Sequence, residues 1–90
     1  MARWTINGQI GEVIAKDGYF EVNIAVNKYK PDKENNTWVK DSTIWFKTIC
    51  DFEPKVQKGD SIVAEGVYVK SNDKNLPYQM KISHIGVIQK

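Results

Sequence analysis

The sequence predicts an all-β fold, a small five-stranded barrel with little or no helix. Runs in which apolar and polar residues alternate recur along the 90 residues, and such alternation is typical of strands with one buried face. Glycines within and between these runs supply bends and tight turns. Closure into a barrel removes the exposed edges that so few strands would otherwise present. Ninety residues are enough for one core, so we expect a single domain over residues 1–90.

The first two strands are predicted to form a hairpin. Arg3–Ala15 alternates, with Gly8 and Gly11 inside it as the site of a bulge or bend. Gly18 closes a tight turn, and Tyr19–Tyr29 then alternates as the partner strand. This pairing supplies the first half of the barrel.

The third strand is predicted to follow a long polar tip. Lys30–Thr37 has no apolar period, which indicates a flexible loop, and Trp38–Cys50 is the strand after it. In Asp51–Lys58, Pro54 and the short length leave room for at most one helical turn. A long third strand followed by a short crossover favours the oligonucleotide/oligosaccharide-binding (OB) topology over an SH3-like barrel or an open sandwich.

The last two strands complete the prediction. After a turn at Gly59, Ser61–Val69 is apolar on both faces, so it is either covered on both sides or forms an oligomer contact. Ser71–Pro77 is a second polar tip. In Tyr78–Gln89, alternation puts His84 on the same face as the apolar residues.

The charge balance bears on the class of ligand. The net charge is only +2, from 13 basic and 11 acidic residues, so binding to a polyanion requires local clustering. Arg3 is the sole arginine, and the other basic residues are lysines. Because lysine suits phosphates and arginine suits guanine edges, the composition favours binding to a nucleic-acid backbone without sequence preference.

Trp45 and Lys47 are the leading candidates for ligand contact. Strand alternation puts both side chains on one face, and an aromatic ring beside an ammonium group is the simplest unit of single-strand binding. The alternative is that Trp45 fills the core and Phe46 faces outward. We favour the first, because Ile44, Phe46 and Thr48 make a suitable inner face.

Further aromatic and basic residues lie near the predicted tips. Trp38 begins the third strand and is either a stacking residue or an exposed indole without a role, whereas Trp4 is assigned to the core or to a subunit contact. Tyr78 either stacks on a base or begins the core face of the last strand. The remaining candidates are Tyr29, Phe52, Lys28, Lys30, Lys33, Lys40, Lys70 and Lys74.

Four segments, taken in order, resemble the bacterial and phage single-stranded DNA-binding proteins. They are Trp4–Gly11 (WTINGQIG), Thr43–Phe52 (TIWFKTICDF), Lys58–Gly66 (KGDSIVAEG) and Tyr78–Gln89 (YQMKISHIGVIQ). The resemblance implies an OB fold and sequence-independent binding of single-stranded DNA in replication, repair, recombination or primosome assembly. It places Trp45 at a stacking position, Lys47 as its basic neighbour and Phe52 next to a second stacking position.

Two differences from that family limit what the resemblance implies about function. The crossover DFEPKVQ stands where the family has a longer helix, and the chain ends at Lys90 without an acidic tip. A chain of this size without such a tip is similar to the short primosomal replication protein N branch and to short phage and plasmid relatives. We therefore expect strand binding, without recruitment of other proteins through an acidic tip.

Enzymatic chemistry is not expected. His84 has no nucleophile spaced beside it, so a structural role is predicted, and Cys50, the sole cysteine, excludes an intrachain disulfide. The acidic residues lack metal-ligand spacing, and no glycine-rich phosphate loop is present, so we expect no metal or cofactor. No apolar run matches a membrane span or a signal peptide. We expect a protein of the bacterial cytoplasm, or one encoded by a phage or plasmid that acts there.

Three questions remain open at the level of sequence. A second hypothesis is an OB module that binds other proteins of a replication or conjugation complex through Val63, Val67 and Val69, with weak or no DNA binding. A third is an RNA-binding protein of cold-shock type, although the clustered aromatic motifs of that class are absent. We also expect a homodimer or homotetramer, because the fourth strand is apolar on both faces.

Overall fold

The structure, a computed structural model, describes residues 2–71 and 75–88. Its five strands are β1 (Arg3–Ala15), β2 (Phe20–Asp32), β3 (Thr37–Cys50), β4 (Ser61–Lys70) and β5 (Tyr78–Val87). The sheet closes in the order β1-β2-β3-β5-β4, with β4 paired to β1. Among the strand pairings of the described residues, only the β3–β5 contact is parallel. This is the OB topology, and the prediction of an all-β, five-stranded barrel is confirmed.

The core is built from the alternate residues that the pattern assigned to it. On β1, the inward positions Trp4, Ile6 and Ile10 are buried, and the indole Nε1 of Trp4 donates a hydrogen bond to the carbonyl of Val67 at 2.9 Å. That bond satisfies the one polar group the indole carries into the core. Trp4 is therefore a core residue, as predicted.

β1 bends at Gly11 so that one strand serves two neighbours. Residues 3–9 pair with β4, residues 9–15 pair with β2, and the β1–β2 register shifts between Ile10 and Glu12. Gly8 lies where β1 passes close to β2, because a Cβ there would lie 2.5 Å from the carbonyl oxygen of Ala25. The predicted bend in this strand is confirmed.

The crossover from β3 to β4 contains no helix, as expected. Pro54 is buried, and Val56 packs against the core. Asp60 closes the turn: its carboxylate accepts a hydrogen bond from the Gln57 amide at 2.9 Å. Gly59 supplies the left-handed conformation, with φ +92°, and its amide donates to the carbonyl of Ile10 at 2.8 Å. The turn predicted at Gly59 is thus confirmed, and Asp60 closes it.

The predicted loop Lys30–Thr37 is wrong over half of its length. β2 continues to Asp32 and β3 begins at Thr37, which leaves a tip of residues 33–36. The carboxylate of Asp32 accepts hydrogen bonds from the Asn35 side chain at 2.8 Å and from the Glu34 amide at 3.2 Å. The polar composition suggested a loop. This part of the hairpin extends beyond the barrel, however, and there the two strands pair through their backbones without a buried face.

The predicted orientation of His84 is also wrong. The β4–β5 register shifts between Glu65 and Gly66, so His84 lies opposite Glu65 on the outer surface and is exposed. Ile85, next along the chain, packs against the core. Simple alternation fails here because the bulge adds one residue to β5 between His84 and Ile82.

Candidate nucleic-acid interface

One face of the β2–β3 hairpin carries most of the candidate residues. In the barrel, Val22, Ile24 and Thr48 point into the core, so the residues between them in sequence lie on the outside. Directly opposite residues in an antiparallel pair share a face. We call the outward set the outer row; its cross-strand pairs are Glu21/Ile49, Asn23/Lys47, Ala25/Trp45, Asn27/Thr43, Tyr29/Lys40 and Pro31/Trp38.

A bulge in β3 keeps the outer row continuous. Lys28 pairs with Ser42 but Tyr29 pairs with Lys40, so Asp41 is an extra residue. Trp38 and Trp45 are separated by seven residues and would face opposite sides of a regular strand. The extra residue restores Trp38 to the side of Trp45, and the structure has the two indoles 68% and 61% exposed.

Trp45 rests on the glycine at the bend of β1. Its six-membered ring reaches across β2, where the small residue Ala25 lies opposite, and contacts Gly11. A Cβ on Gly11 would lie 2.9 Å from Cη2 of the indole and closer still to Cζ3. Phe46 packs against the core, so the alternative in which Trp45 fills the core is wrong. The indole thus has a backbone support and an exposed surface.

Lys47 lies beside Trp45 on the outer row, but its ammonium group is already paired. Its Nζ is 2.8 Å from Oε1 of Glu21, whose side chain is only 10% exposed, while that of Lys47 is 69% exposed. A buried carboxylate needs such a partner. The positive charge next to Trp45 is therefore compensated by the protein itself.

The lysines of the β2–β3 hairpin are divided between its two faces. Lys40 lies on the outer row between Trp38 and Trp45, opposite Tyr29, and both Lys40 and Tyr29 are exposed. Lys28 and Lys30 lie on the other face, and Nζ of Lys30 is 3.7 Å from Oδ1 of Asp41. Lys33 is in the exposed tip. The candidate lysines of this hairpin therefore form two groups, and of Lys28, Lys30, Lys33 and Lys40 only Lys40 accompanies the aromatic residues.

The candidates at the other end of the barrel are less closely grouped. Tyr78 lies opposite Lys70 at the ends of β5 and β4, and its side chain is 65% exposed, so it does not begin the core face. Phe52 follows β3 and is 40% exposed. Lys74 lies outside the described residues.

A groove lies at the inner end of the outer row, where β3 runs beside β5. It has a volume of about 520 Å³ and includes Tyr19, Ile49, Asp51, Lys70, Gln79 and Lys81 in its lining. Nζ of Lys81 is 2.9 Å from Oδ2 of Asp51, and this contact lowers the pKa of the Asp51 carboxyl. Sequence reasoning missed Tyr19, Gln79 and Lys81. The parallel β3–β5 pairing that brings Gln79 and Lys81 to β3 leaves no local signal.

The remaining reactive side chains do not suggest further chemistry. Cys50 is buried, its thiol donates to the carbonyl of Phe52 at 3.1 Å, and burial raises the pKa of that thiol. Within residues 2–71 and 75–88, no group of three or more His, Cys, Asp or Glu side chains is placed to hold a metal ion. Over the same residues, no helix has the length and apolar character of a membrane span.

Two solved structures share this fold over nearly the whole chain. A small single-stranded DNA-binding protein from Streptomyces coelicolor superposes with a TM-score of 0.74 at 16% identity, covering 97% of this chain and 92% of its own. A single-stranded DNA-binding protein from Plasmodium falciparum, solved in complex with single-stranded DNA, has a TM-score of 0.65 at 13% identity and covers 99% and 96%. No family model and no curated protein sequence matches the chain. The likeness establishes the OB fold and agrees with the resemblance seen in the sequence.

Proposed function

We propose that this protein binds single-stranded DNA without sequence preference, by stacking bases on the aromatic side chains of the outer row. One observation carries the proposal: Trp45, Tyr29 and Trp38 are exposed on a single face, with Lys40 between them. Aromatic platforms interleaved with basic residues are what single-strand binding requires, because every base has a stacking face. That a structural neighbour is a complex with single-stranded DNA supports the proposal.

Electrostatics supports a backbone contact without base readout. Lys40 makes no ion pair among the described residues, so its charge is available to a phosphate. A lysine ammonium is a point charge that does not distinguish bases in the way that a bidentate arginine does. Binding of this kind suits replication, repair, recombination or primosome assembly, in which single strands of any sequence are exposed. RNA offers the same stacking faces, so oligo-rU belongs in the test.

The proposal is tested by titrating oligo-dT and oligo-rU into the protein at low and high salt. The exposed indoles of Trp38 and Trp45 are expected to be quenched on binding, while Trp4 is buried and contributes a constant signal. Affinity should fall with salt at a log–log slope of about −0.7 for each phosphate contact. Absence of quenching and of binding at low salt would contradict the proposal.

The stacking residues are tested by substitution. Trp45→Ala should weaken binding of a labelled oligo-dT, measured by anisotropy, by about 1–3 kcal/mol, which is roughly 5- to 150-fold. Val87→Ala removes an exposed apolar side chain at the end of β5, outside the outer row, and should leave the affinity unchanged. Equal affinity of Trp45→Ala and wild type would remove Trp45 from the interface.

A second candidate function rests on a different surface. Val63, Val87 and Ile88 are exposed and line one shallow depression along β4 and the end of β5, beside His84. An apolar patch of this kind suits contact with another protein or a second copy of the chain. If this surface carries the function, oligo-dT should leave the fluorescence unchanged. Light scattering then tests the expected dimer or tetramer, which a Val63→Lys substitution should disrupt.

A further inference from the structure

The outer row leads directly into the groove between β3 and β5. Beyond Trp45 the row continues through Lys47 to Ile49, and Ile49 is itself part of the groove wall. Four residues of strand separate Trp45 from Ile49, a distance of about 13 Å. A single strand that stacks on Trp45 therefore reaches the groove without leaving the surface.

The groove has the chemistry of a site for one base. Ile49 and Val69 supply apolar walls, and Tyr19, 41% exposed, supplies an aromatic ring. Gln79 brings an amide that both donates and accepts, and Asp51 brings a carboxylate held by Lys81 at 2.9 Å. The volume of about 520 Å³ is in the usual range for ligand pockets.

We propose that this groove receives one unstacked base of the bound strand and prefers a base with an exocyclic amino group, which thymine lacks. The inference rests on the proposed function and adds to it a preference that the stacking platforms alone do not have. An ionised carboxylate is an acceptor only, so Asp51 pairs with the amino group of cytosine or adenine. Thymine has a carbonyl oxygen in the position of the cytosine amino group. Gln79 completes the contact, because its amide matches the donor and acceptor of the same base edge.

The charge of the groove argues against a phosphate as its occupant. The ammonium of Lys81 is compensated by Asp51, and the carboxylate would repel a phosphate placed beside it. Lys70 is at the rim and makes no ion pair among the described residues, so it is free to hold the adjoining backbone. This arrangement puts the base inside the groove and the phosphate at its rim, beside Lys70.

The test compares oligo-dC with oligo-dT of the same length, two pyrimidine strands that differ in the amino group. Wild type should bind oligo-dC at least about five-fold more tightly than oligo-dT. Asp51→Ala and Gln79→Ala should each reduce this ratio toward one, and both positions are on the surface, so folding can be verified by the unfolding temperature. Gln57→Ala is the matched control, because this exposed glutamine lies outside the groove, and it should keep the wild-type ratio.

The outcomes separate the inference from the function on which it rests. Equal, salt-sensitive binding of both strands by wild type overturns the base preference and leaves the proposed function in place. A preference that survives in both groove variants overturns the assignment to this groove. Failure to bind either strand overturns the proposed function and the inference together.

Discussion

The indole ring of Trp45 occupies the space that a side chain on Gly11 would fill. Gly11 is on β1 and Trp45 on β3, with β2 between the two strands. A Cβ on Gly11 would come within 2.9 Å of Cη2 of the ring, so the close contact depends on the absence of a side chain. Gly11 thus provides both the bend in β1 and the support for the exposed indole.

Gly11→Ala is expected to weaken binding of single-stranded DNA by displacing the Trp45 ring. The backbone at Gly11 is outside the left-handed region, so alanine adds a methyl group without backbone strain. The ring can swing away, and the loss should therefore be smaller than the roughly 1–3 kcal/mol expected for removing the ring. Titration with oligo-dT measures it. Gly86→Ala is the control, because a Cβ there meets nothing within 4 Å; equal loss in both variants would refute the displacement.

Glu21→Gln is expected to strengthen binding and to steepen its salt dependence. Lys47 is neutralised by Glu21 at 2.8 Å, and the amide that replaces the carboxylate leaves the ammonium charge available to a phosphate beside Trp45. One added phosphate contact changes the log–log salt slope by about −0.7. The slope is measured by titrating oligo-dT at several salt concentrations.

Asp41→Asn is the matched control for that prediction. It releases Lys30, whose Nζ is 3.7 Å from Oδ1 of Asp41, but Lys30 lies on the opposite face of the hairpin from the outer row. Its release should leave the salt slope near the wild-type value. A steeper slope for Asp41→Asn and not for Glu21→Gln would indicate that the strand follows the other face.

Local alternation was sufficient to predict the barrel and the outward position of Trp45. It was not sufficient to predict the positions of the other residues of the site. Burial has a period of two residues along a regular strand, so the inward face of β1 and the outward position of Trp45 both follow from the sequence. Trp38 is different: its side depends on the extra residue Asp41, and a bulge of this kind has no signal in the apolar pattern because both faces of the hairpin are exposed there. A bulge also explains the wrong orientation of His84, because an extra residue in β5 between Ile82 and His84 breaks the alternation.

The groove could not be predicted from the sequence for a different reason. Gln79 and Lys81 approach Ile49 and Asp51 because β5 runs parallel to β3 over two residue pairs. That contact joins segments about thirty residues apart, and nothing in either segment specifies it. The ion pair between Glu21 and Lys47 was equally hidden, since a glutamate on an outward position is usually solvated.

Removing Lys81 should raise the pKa of the Asp51 carboxyl toward its ordinary value. The hydrogen bond and charge of Lys81 lower that pKa in the folded protein. A carboxyl whose folded pKa is depressed stabilises the fold above its unfolded pKa of about 3.9, and loses that contribution as the pH falls through the lower folded value. In Lys81→Met the Asp51 titration, followed by NMR of its side-chain carboxyl, should move upward. An unchanged midpoint would mean that the ion pair does not persist in solution.

Inserting one glycine between Lys28 and Tyr29 should separate Trp38 from Trp45. The insertion gives Asp41 a partner on β2, so regular alternation resumes, and Tyr29, Lys40 and Trp38 all move to the other face of the hairpin. Deletion of Asp41 is the matched control: it also removes the bulge, but leaves Lys40 opposite Tyr29 and keeps both on the outer row.

The glycine insertion and the Asp41 deletion both remove the bulge, but they are expected to have different effects on DNA binding. The insertion should cost the stacking contributed by Trp38 and Tyr29, about 1–3 kcal/mol for each base that stacks there, while Trp45 continues to bind. The deletion should retain the affinity for oligo-dT, because the outer row stays continuous. Binding is compared by anisotropy, and the hairpin register is verified by cross-strand NMR contacts. Equal affinities for the two variants would show that binding does not require Trp38 and Trp45 on one face.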